Sequence, residues 1–91
     1  MNALPARIGD YRILGRLNAG GEGMVYRVVD RADRRAALKI PASSQPREVA
    51  ALNGEIRVLR HLNACRVPGV VQLLETGRAG GRPWYTMEWV V

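Results

Sequence analysis

The 91-residue sequence contains a single cysteine, Cys65, and therefore cannot build an internal disulfide framework. No apolar run approaches the roughly 18–20 residues that a membrane span requires, and residues 1–10 lack the apolar segment of a signal peptide. These absences favour a protein of the cytoplasm. A chain of this length holds one domain at most, and its 47% apolar and 24% charged residues are typical of a globular protein.

Lysine is equally scarce: thirteen of the fourteen basic residues are arginine, and Lys39 is the only lysine in the sequence. The net charge of +6 favours anionic partners such as nucleotides. The only lysine lies in the apolar segment 36–40, and a compact ammonium on a flexible stem differs chemically from a guanidinium. Lys39 is therefore a candidate functional residue; the alternative is a strand-end lysine that simply reaches solvent.

The hydrophobic pattern predicts five strands and one helix, without an internal repeat or linker. Three strands come first and can form an antiparallel meander, and two more follow the helix. A glycine-rich loop over 77–82 separates the last two strands. The predicted strands are 11–17, 24–30, 36–40, 70–76 and 83–91.

One helix is predicted from Pro46 to Asn63, with Ser44 as its cap. Its apolar residues recur at three- and four-residue spacing and form one stripe: Val49, Leu52, Ile56, Leu59 and Leu62. Glu55 falls within the arc of this stripe. Because a carboxylate on a buried face is costly unless a cation meets it, Lys39 in the preceding strand is the predicted partner. The alternative is that Glu55 extends to the rim of the stripe.

The turn between the first two strands contains three glycines in four residues, at Gly20, Gly21 and Gly23. Glycines let the backbone approach a ligand closely and leave N–H groups free to face an anion. The segment is not a P-loop, because it lacks G-K-[ST] and a strand rather than a helix follows it. A phosphate-binding turn and a plain hairpin tip both remain open at this point.

Taken together, the glycine-rich turn, the Ala-Leu-Lys strand, the mid-helix Glu55 and the closing Met-Glu-Trp-Val resemble the N-terminal lobe of a protein kinase. The opening segment 8–13 resembles bacterial Ser/Thr kinases of the eukaryotic type. The resemblance covers about residues 9–91. It implies an α+β fold, in which a five-stranded antiparallel sheet carries one helix between strands 3 and 4.

The resemblance also implies an ATP site with two catalytic residues. Lys39 matches the strand lysine that contacts the α- and β-phosphates, and Glu55 matches the helix carboxylate that holds this lysine. The family's loop reads G-x-G-x-x-G-x-V, in which Gly20, Gly23 and Val25 match the second glycine, the third glycine and the valine.

Two loop positions depart from the family pattern. Asn18 stands where the first glycine belongs, and because asparagine tolerates positive φ we expect the turn to be kept. Glu22 occupies the tip of the loop, where its negative charge is expected to weaken nucleotide binding.

The adenine side of the implied site is apolar. Val25 and Ala37 match the residues that roof the adenine, and Met87 occupies the gatekeeper position. Glu88 and Val90 match the connecting segment, whose backbone reads the adenine edge. The complete set of expected nucleotide contacts is Leu17, Asn18, Ala19, Gly20, Gly21, Gly23, Val25, Ala37, Lys39, Met87, Glu88 and Val90.

The H-R-D and D-F-G motifs of the family do not occur in this sequence. Residues 1–91 are therefore interpreted as an incomplete kinase domain whose C-terminal lobe, with the Mg²⁺ ligands, is absent from this chain. The complete enzyme is expected to transfer the γ-phosphate of ATP to protein Ser or Thr hydroxyls, and the 91-residue chain alone to be inactive. The alternative is a stand-alone pseudokinase-like module for regulation or dimerisation.

Two further expectations concern partners. Self-association of the lobe is predicted in either case, because large exposed apolar faces usually find a partner. Trp84, Tyr85 and Trp89 could stack on the bases of a nucleic acid. We favour a core role for these aromatic residues instead, so no nucleic-acid partner is predicted.

Overall fold

The structure, a computed structural model, describes residues 6–18 and 23–89. Within these ranges, six strands form one sheet in the order β1-β2-β3-β4-β6-β5, and every neighbouring pair is antiparallel. One helix, α1, lies between β4 and β5 in the chain. The elements are β1 Arg7–Ile8, β2 Tyr11–Arg16, β3 Met24–Val29, β4 Arg35–Ile40, α1 Pro46–Ala64, β5 Leu73–Ala79 and β6 Arg82–Glu88. Within the described ranges, no helix combines the length and apolarity needed to cross a membrane.

The predicted fold class is confirmed, with one strand more than expected. The extra strand is the two-residue β1, which pairs with β2 through Ile8 and Tyr11. Gly9 between them has φ +58°, which lets the chain reverse at once. A two-residue strand is too short to carry a periodic pattern, so it could not be predicted from the hydrophobic pattern.

The strand predicted over 70–76 is displaced: β5 begins and ends three residues later, and 77–79 belong to the strand rather than to a loop. The turn is confined to Gly80 and Gly81, with φ +57° and +77°, the positive values that a two-residue hairpin turn needs. Gly77 lies within β5, and the Trp84 ring explains why a glycine occupies this strand position. A Cβ there would overlap Trp84 Cζ2.

The helix begins at Pro46 as predicted, but Ser44 is not its cap. Gln45 is the N-cap residue and makes no capping bond with its side chain, so Ser44 lies one position outside the helix. The neighbouring Ser43 organises this entry instead. Its Oγ accepts a hydrogen bond from the Gln45 N–H, 3.2 Å away, and donates one to the Glu48 carboxylate.

The two faces of the sheet bury different clusters. Even-numbered residues of β3, β4 and β6 point to one face, where Val28 and Leu38 are fully buried together with Trp84. The other face carries Tyr85, which packs against Leu52 and Ile56 of α1. Trp84 and Tyr85 are both buried in these clusters, which agrees with the core role predicted for them.

Candidate functional site

The strand register places the candidate lysine in a row of three residues that cross the sheet. Lys39 on β4 lies opposite Val25 on β3 and opposite Tyr85 on β6. Directly opposed residues of antiparallel strands project to the same face, so these three side chains share the face on which α1 packs. The neighbouring row on this face contains Ala37 and Met87.

Lys39 and Glu55 form an ion pair on this face, with 2.7 Å between Nζ and Oε1. The side chains are 18% and 37% exposed, so the pair stands at the border between the core and solvent. Glu55 reaches this point because it follows the buried Leu52 by three residues and precedes Ile56. The structure therefore brings together the two residues predicted to be catalytic, at the solvent edge of the apolar stripe.

Tyr85 joins the pair from the adjacent strand. Its hydroxyl donates a hydrogen bond to the same Glu55 Oε1, at 3.2 Å, and its ring is buried. Burial raises the pKa of Tyr85 above its usual value, and the Glu55 charge and hydrogen bond raise it further. Sequence reasoning assigned Tyr85 to the core alone. Only the alignment of β6 against β4, which no local pattern specifies, puts its hydroxyl beside Lys39.

A pocket of about 300 Å³ opens next to the ion pair. Gly23 borders it on the side of the glycine-rich hairpin, the name used here for β2, β3 and the glycine-rich turn that joins them. Gly23 has φ +80°, and a Cβ there would come within 3.1 Å of the Ile40 carbonyl oxygen, so this position requires glycine. The pocket is lined by Gly23, Lys39, Pro41, Arg47, Glu48, Ala51, Leu52 and Glu55. It combines a held ammonium group with a close backbone approach, an arrangement suited to an anionic ligand.

Asn18 closes the mouth of the glycine-rich hairpin with its side chain. Its Oδ1 accepts a hydrogen bond from the Val25 N–H at 3.0 Å, and its Nδ2 donates one to the Gly23 carbonyl oxygen, also at 3.0 Å. Arg16 adds a bond from Nε to the same Oδ1, at 3.3 Å. The residue that replaces the family's first glycine therefore ties the two strands together through its amide, a role that its tolerance of positive φ did not predict.

The residues expected on the adenine side continue along this face. Leu17 lies beside Val25, to whose carbonyl oxygen its N–H donates a 2.7 Å hydrogen bond. Ala37 is buried, and Met87 is half-buried against the cluster of Tyr85 and α1. Ala19, Gly20, Gly21 and Val90 were also predicted to contact the nucleotide and lie outside the described residues.

Glu88 ends β6 at the position predicted for the connecting segment. Its N–H donates to the Gln72 carbonyl oxygen at 3.0 Å, and its carboxylate accepts the Gln72 N–H at 3.1 Å. These bonds fasten the end of β6 to the residues that precede β5. The backbone of Glu88 is therefore held in a defined position at the edge of the site face.

A larger pocket, of about 590 Å³, lies elsewhere, at the turns that precede β2 and β4. Its charged side chains largely satisfy one another, since Arg31 pairs with Asp10 and Arg34 with Asp30, both at 2.8 Å. Hydrogen bonding, led by the Arg34 backbone N–H, lowers the pKa of Asp30. The pocket contains neither Lys39 nor the glycine-rich hairpin, so the smaller pocket is the candidate site.

Comparison with known proteins identifies the family. Residues 14–90 match the APH model, described as the phosphotransferase enzyme family. The chain belongs to the phosphotransferase enzyme family. This match includes β3, β4, α1 and β6, the elements that carry the ion pair, Tyr85 and the hairpin.

The chain is similar in sequence to named protein kinases and similar in fold to a solved structure. The serine/threonine-protein kinases AfsK of Streptomyces coelicolor and of Streptomyces griseus are each 51% identical to it over 35 residues, which is 38% of this chain and 4% of each relative. The solved apo form of PpkA-294 superposes with a TM-score of 0.73 at 24% identity, covering 98% of this chain and 39% of that one. The chain thus spans less than half of these relatives, and it has the fold of a kinase N-terminal lobe, as predicted.

Proposed function

We propose that this chain is the ATP-binding lobe of a bacterial Ser/Thr protein kinase, which acts in the cytoplasm on protein substrates. The observation that carries the proposal is the Lys39–Glu55 ion pair beside Gly23, on the face that also presents Val25 and Ala37. The AfsK proteins, which are Ser/Thr kinases by name, support the assignment of the substrate hydroxyl.

The chemistry of the site follows from the hydrogen-bonding capacity of the ammonium group. Lys39 has three N–H donors, and one of them is directed to Glu55 Oε1. The remaining two are available for the oxygens of the α- and β-phosphates. Glu55 thus orients the ammonium group, which is how a kinase lobe positions ATP for transfer.

The rest of the nucleotide is proposed to lie along the same face. The glycine-rich hairpin, tied at its base by Asn18, covers the phosphates on the side of Gly23. Val25 and Ala37 enclose the adenine ring, with Met87 behind it. The backbone of Glu88 and Val90 is proposed to bind the polar edge of the adenine.

Mg²⁺ neutralises phosphate charge when it is bound in a kinase site. Among the described residues, no three His, Cys, Asp or Glu side chains converge in a way that could hold a metal ion. The donors present here do not fit Mg²⁺, and we assign its ligands to a C-terminal lobe. We also propose that the 91-residue chain alone transfers no phosphate, because the Asp residues of H-R-D and D-F-G are missing from its sequence.

Calorimetric titration with ATP, and with ADP plus Mg²⁺, tests the proposal. Lys39→Met should weaken binding by about 10- to 100-fold, since a hydrogen bond to a charged group is worth about 1.5–3 kcal/mol. Arg35→Gln is the matched control: it removes the same charge from the same strand, and Arg35 lies outside the pocket. Absence of binding at millimolar nucleotide, or equal loss in both variants, contradicts the proposed site. The pseudokinase-like alternative then gains support.

A further inference from the structure

We propose that Tyr85 is a positioning residue of this site: its hydroxyl fixes the Glu55 carboxylate and thereby sets the position of the Lys39 ammonium. The inference deepens the proposed function and rests on it for the meaning of Lys39 as a phosphate ligand. The contacts that carry it are all within described residues, on β4, α1 and β6.

The two donors meet on one oxygen. Lys39 Nζ lies 2.7 Å and the Tyr85 hydroxyl 3.2 Å from Glu55 Oε1, and no described residue donates a hydrogen bond to Oε2. Lys39 and Tyr85 are directly opposite on paired strands, so the carboxylate is held from two neighbouring positions of the sheet. Loss of either donor leaves the carboxylate free to rotate about the other.

Of the two donors, only Tyr85 is rigid. A lysine side chain has four rotatable bonds and can follow a moving carboxylate, whereas the Tyr85 ring is 4% exposed and packs against Leu52 and Ile56. Glu55 is itself 37% exposed, and an ion pair at such a position holds its members loosely. Among Lys39, Glu55 and Tyr85, the tyrosine hydroxyl therefore has the most fixed position.

The tyrosine remains a donor under ordinary conditions. Burial, with the adjacent Glu55 charge, raises its pKa, so the hydroxyl keeps its proton at neutral pH. Because the hydroxyl is neutral, it adds a hydrogen bond to Glu55, and Lys39 remains the positively charged partner of the carboxylate. The arrangement favours the paired state of Lys39 and Glu55 before any nucleotide arrives.

The chain offers a direct test because Lys39 is its only lysine. The rate at which an amine-acylating reagent modifies this residue, followed by mass spectrometry, reports how often the ammonium leaves Glu55, and the α-amino group serves as an internal reference. Tyr85→Phe should raise the Lys39 rate about three- to tenfold, which corresponds to about 0.7–1.4 kcal/mol and lies in the net range of an ordinary intramolecular hydrogen bond. Glu55→Gln, which removes the counter-charge, should raise it further.

Tyr11→Phe is the matched control. Tyr11 is also buried, but its hydroxyl faces the opposite side of the sheet and bonds to Thr86 Oγ1 at 3.3 Å. This variant should acylate at the wild-type rate, although it loses a buried hydroxyl in the same way. In the Glu55→Gln background, Tyr85→Phe should change the Lys39 acylation rate by less than Tyr85→Phe does in the wild-type protein. The two residues act through one contact, so their effects should not add.

The result that overturns the inference is an equal acylation rate in Tyr85→Phe and the wild type, or an equal increase in Tyr11→Phe and Tyr85→Phe. If Tyr85→Phe does not fold, the wild-type protein still provides a test, since slow exchange of the Tyr85 hydroxyl proton by NMR is expected and fast exchange contradicts the bond. None of these readouts needs a nucleotide. Failure of ADP to bind therefore refutes the proposed function. The acylation rates test the positioning role of Tyr85 independently of that result.

Discussion

Replacing Asn18 with alanine should loosen the base of the glycine-rich hairpin. The amide of Asn18 makes two half-buried hydrogen bonds to backbone groups, with the Val25 N–H and the Gly23 carbonyl oxygen, both at 3.0 Å. It also accepts a longer bond from the exposed Arg16, which solvent weakens. Alanine removes all three contacts while it leaves the backbone in place.

The magnitude follows from the two backbone bonds. Each is worth about 0.5–1.5 kcal/mol in net terms, and water reaches part of the site, so we expect a loss of about 1–2 kcal/mol in the free energy of unfolding. For a chain of this size, about 1 kcal/mol corresponds to roughly 4–8 °C in melting temperature. Thermal unfolding followed by circular dichroism measures this change.

Hydrogen exchange locates the effect. The Val25 amide proton should be protected in the wild type and should exchange faster in Asn18→Ala, because its acceptor is gone. Asn18→Asp keeps an acceptor for Val25 but loses the donor to Gly23, so it should retain Val25 protection. Asn18→Gly, which restores the family's usual glycine, should be no more stable than the alanine variant. Unchanged unfolding and unchanged Val25 exchange in Asn18→Ala would refute the reasoning.

Three further predictions concern stability. Gly77→Ala should destabilise the fold by about 1–3 kcal/mol in chemical denaturation, because the new Cβ overlaps the Trp84 ring; an unaltered midpoint would contradict this packing. Gly54→Ala should instead stabilise the fold by up to about 1 kcal/mol, since the position is helical and a Cβ there meets nothing within 4 Å; a loss of stability would contradict this prediction. At high pH, stability should decline above about pH 10, where tyrosine ionises in the unfolded chain, because the raised pKa of Tyr85 keeps it protonated in the fold. This loss should be smaller in Tyr85→Phe, and identical pH profiles would contradict the buried hydroxyl.

The core of the site could be predicted because its signals are local. Lys39 is the only lysine, in a short apolar strand, and Glu55 is a charge within an apolar helical stripe. Each is anomalous in its own segment, and the cost of burying an unpaired charge connects them. The structure brings the two side chains into contact, as this cost leads one to expect.

The features that sequence reasoning missed depend on contacts between segments. β5 was placed three residues early because Gly77 looked like a loop residue, and only the Trp84 ring against it explains a glycine within the strand. Tyr85 was missed because its partner becomes visible only when β6 is aligned with β4. Ser44 was assigned as the cap because the pattern does not fix helix boundaries to a single residue.

The Nζ signal of Lys39 provides the most direct test of the central claim, that this ammonium group binds nucleotide phosphates. As the only lysine, it gives a single side-chain resonance in a protein labelled at lysine. Titration with ADP should shift this resonance along a saturable curve, and adenosine, which lacks phosphate, should leave it in place. A resonance that does not move at millimolar ADP, or that moves equally with adenosine, would contradict the account.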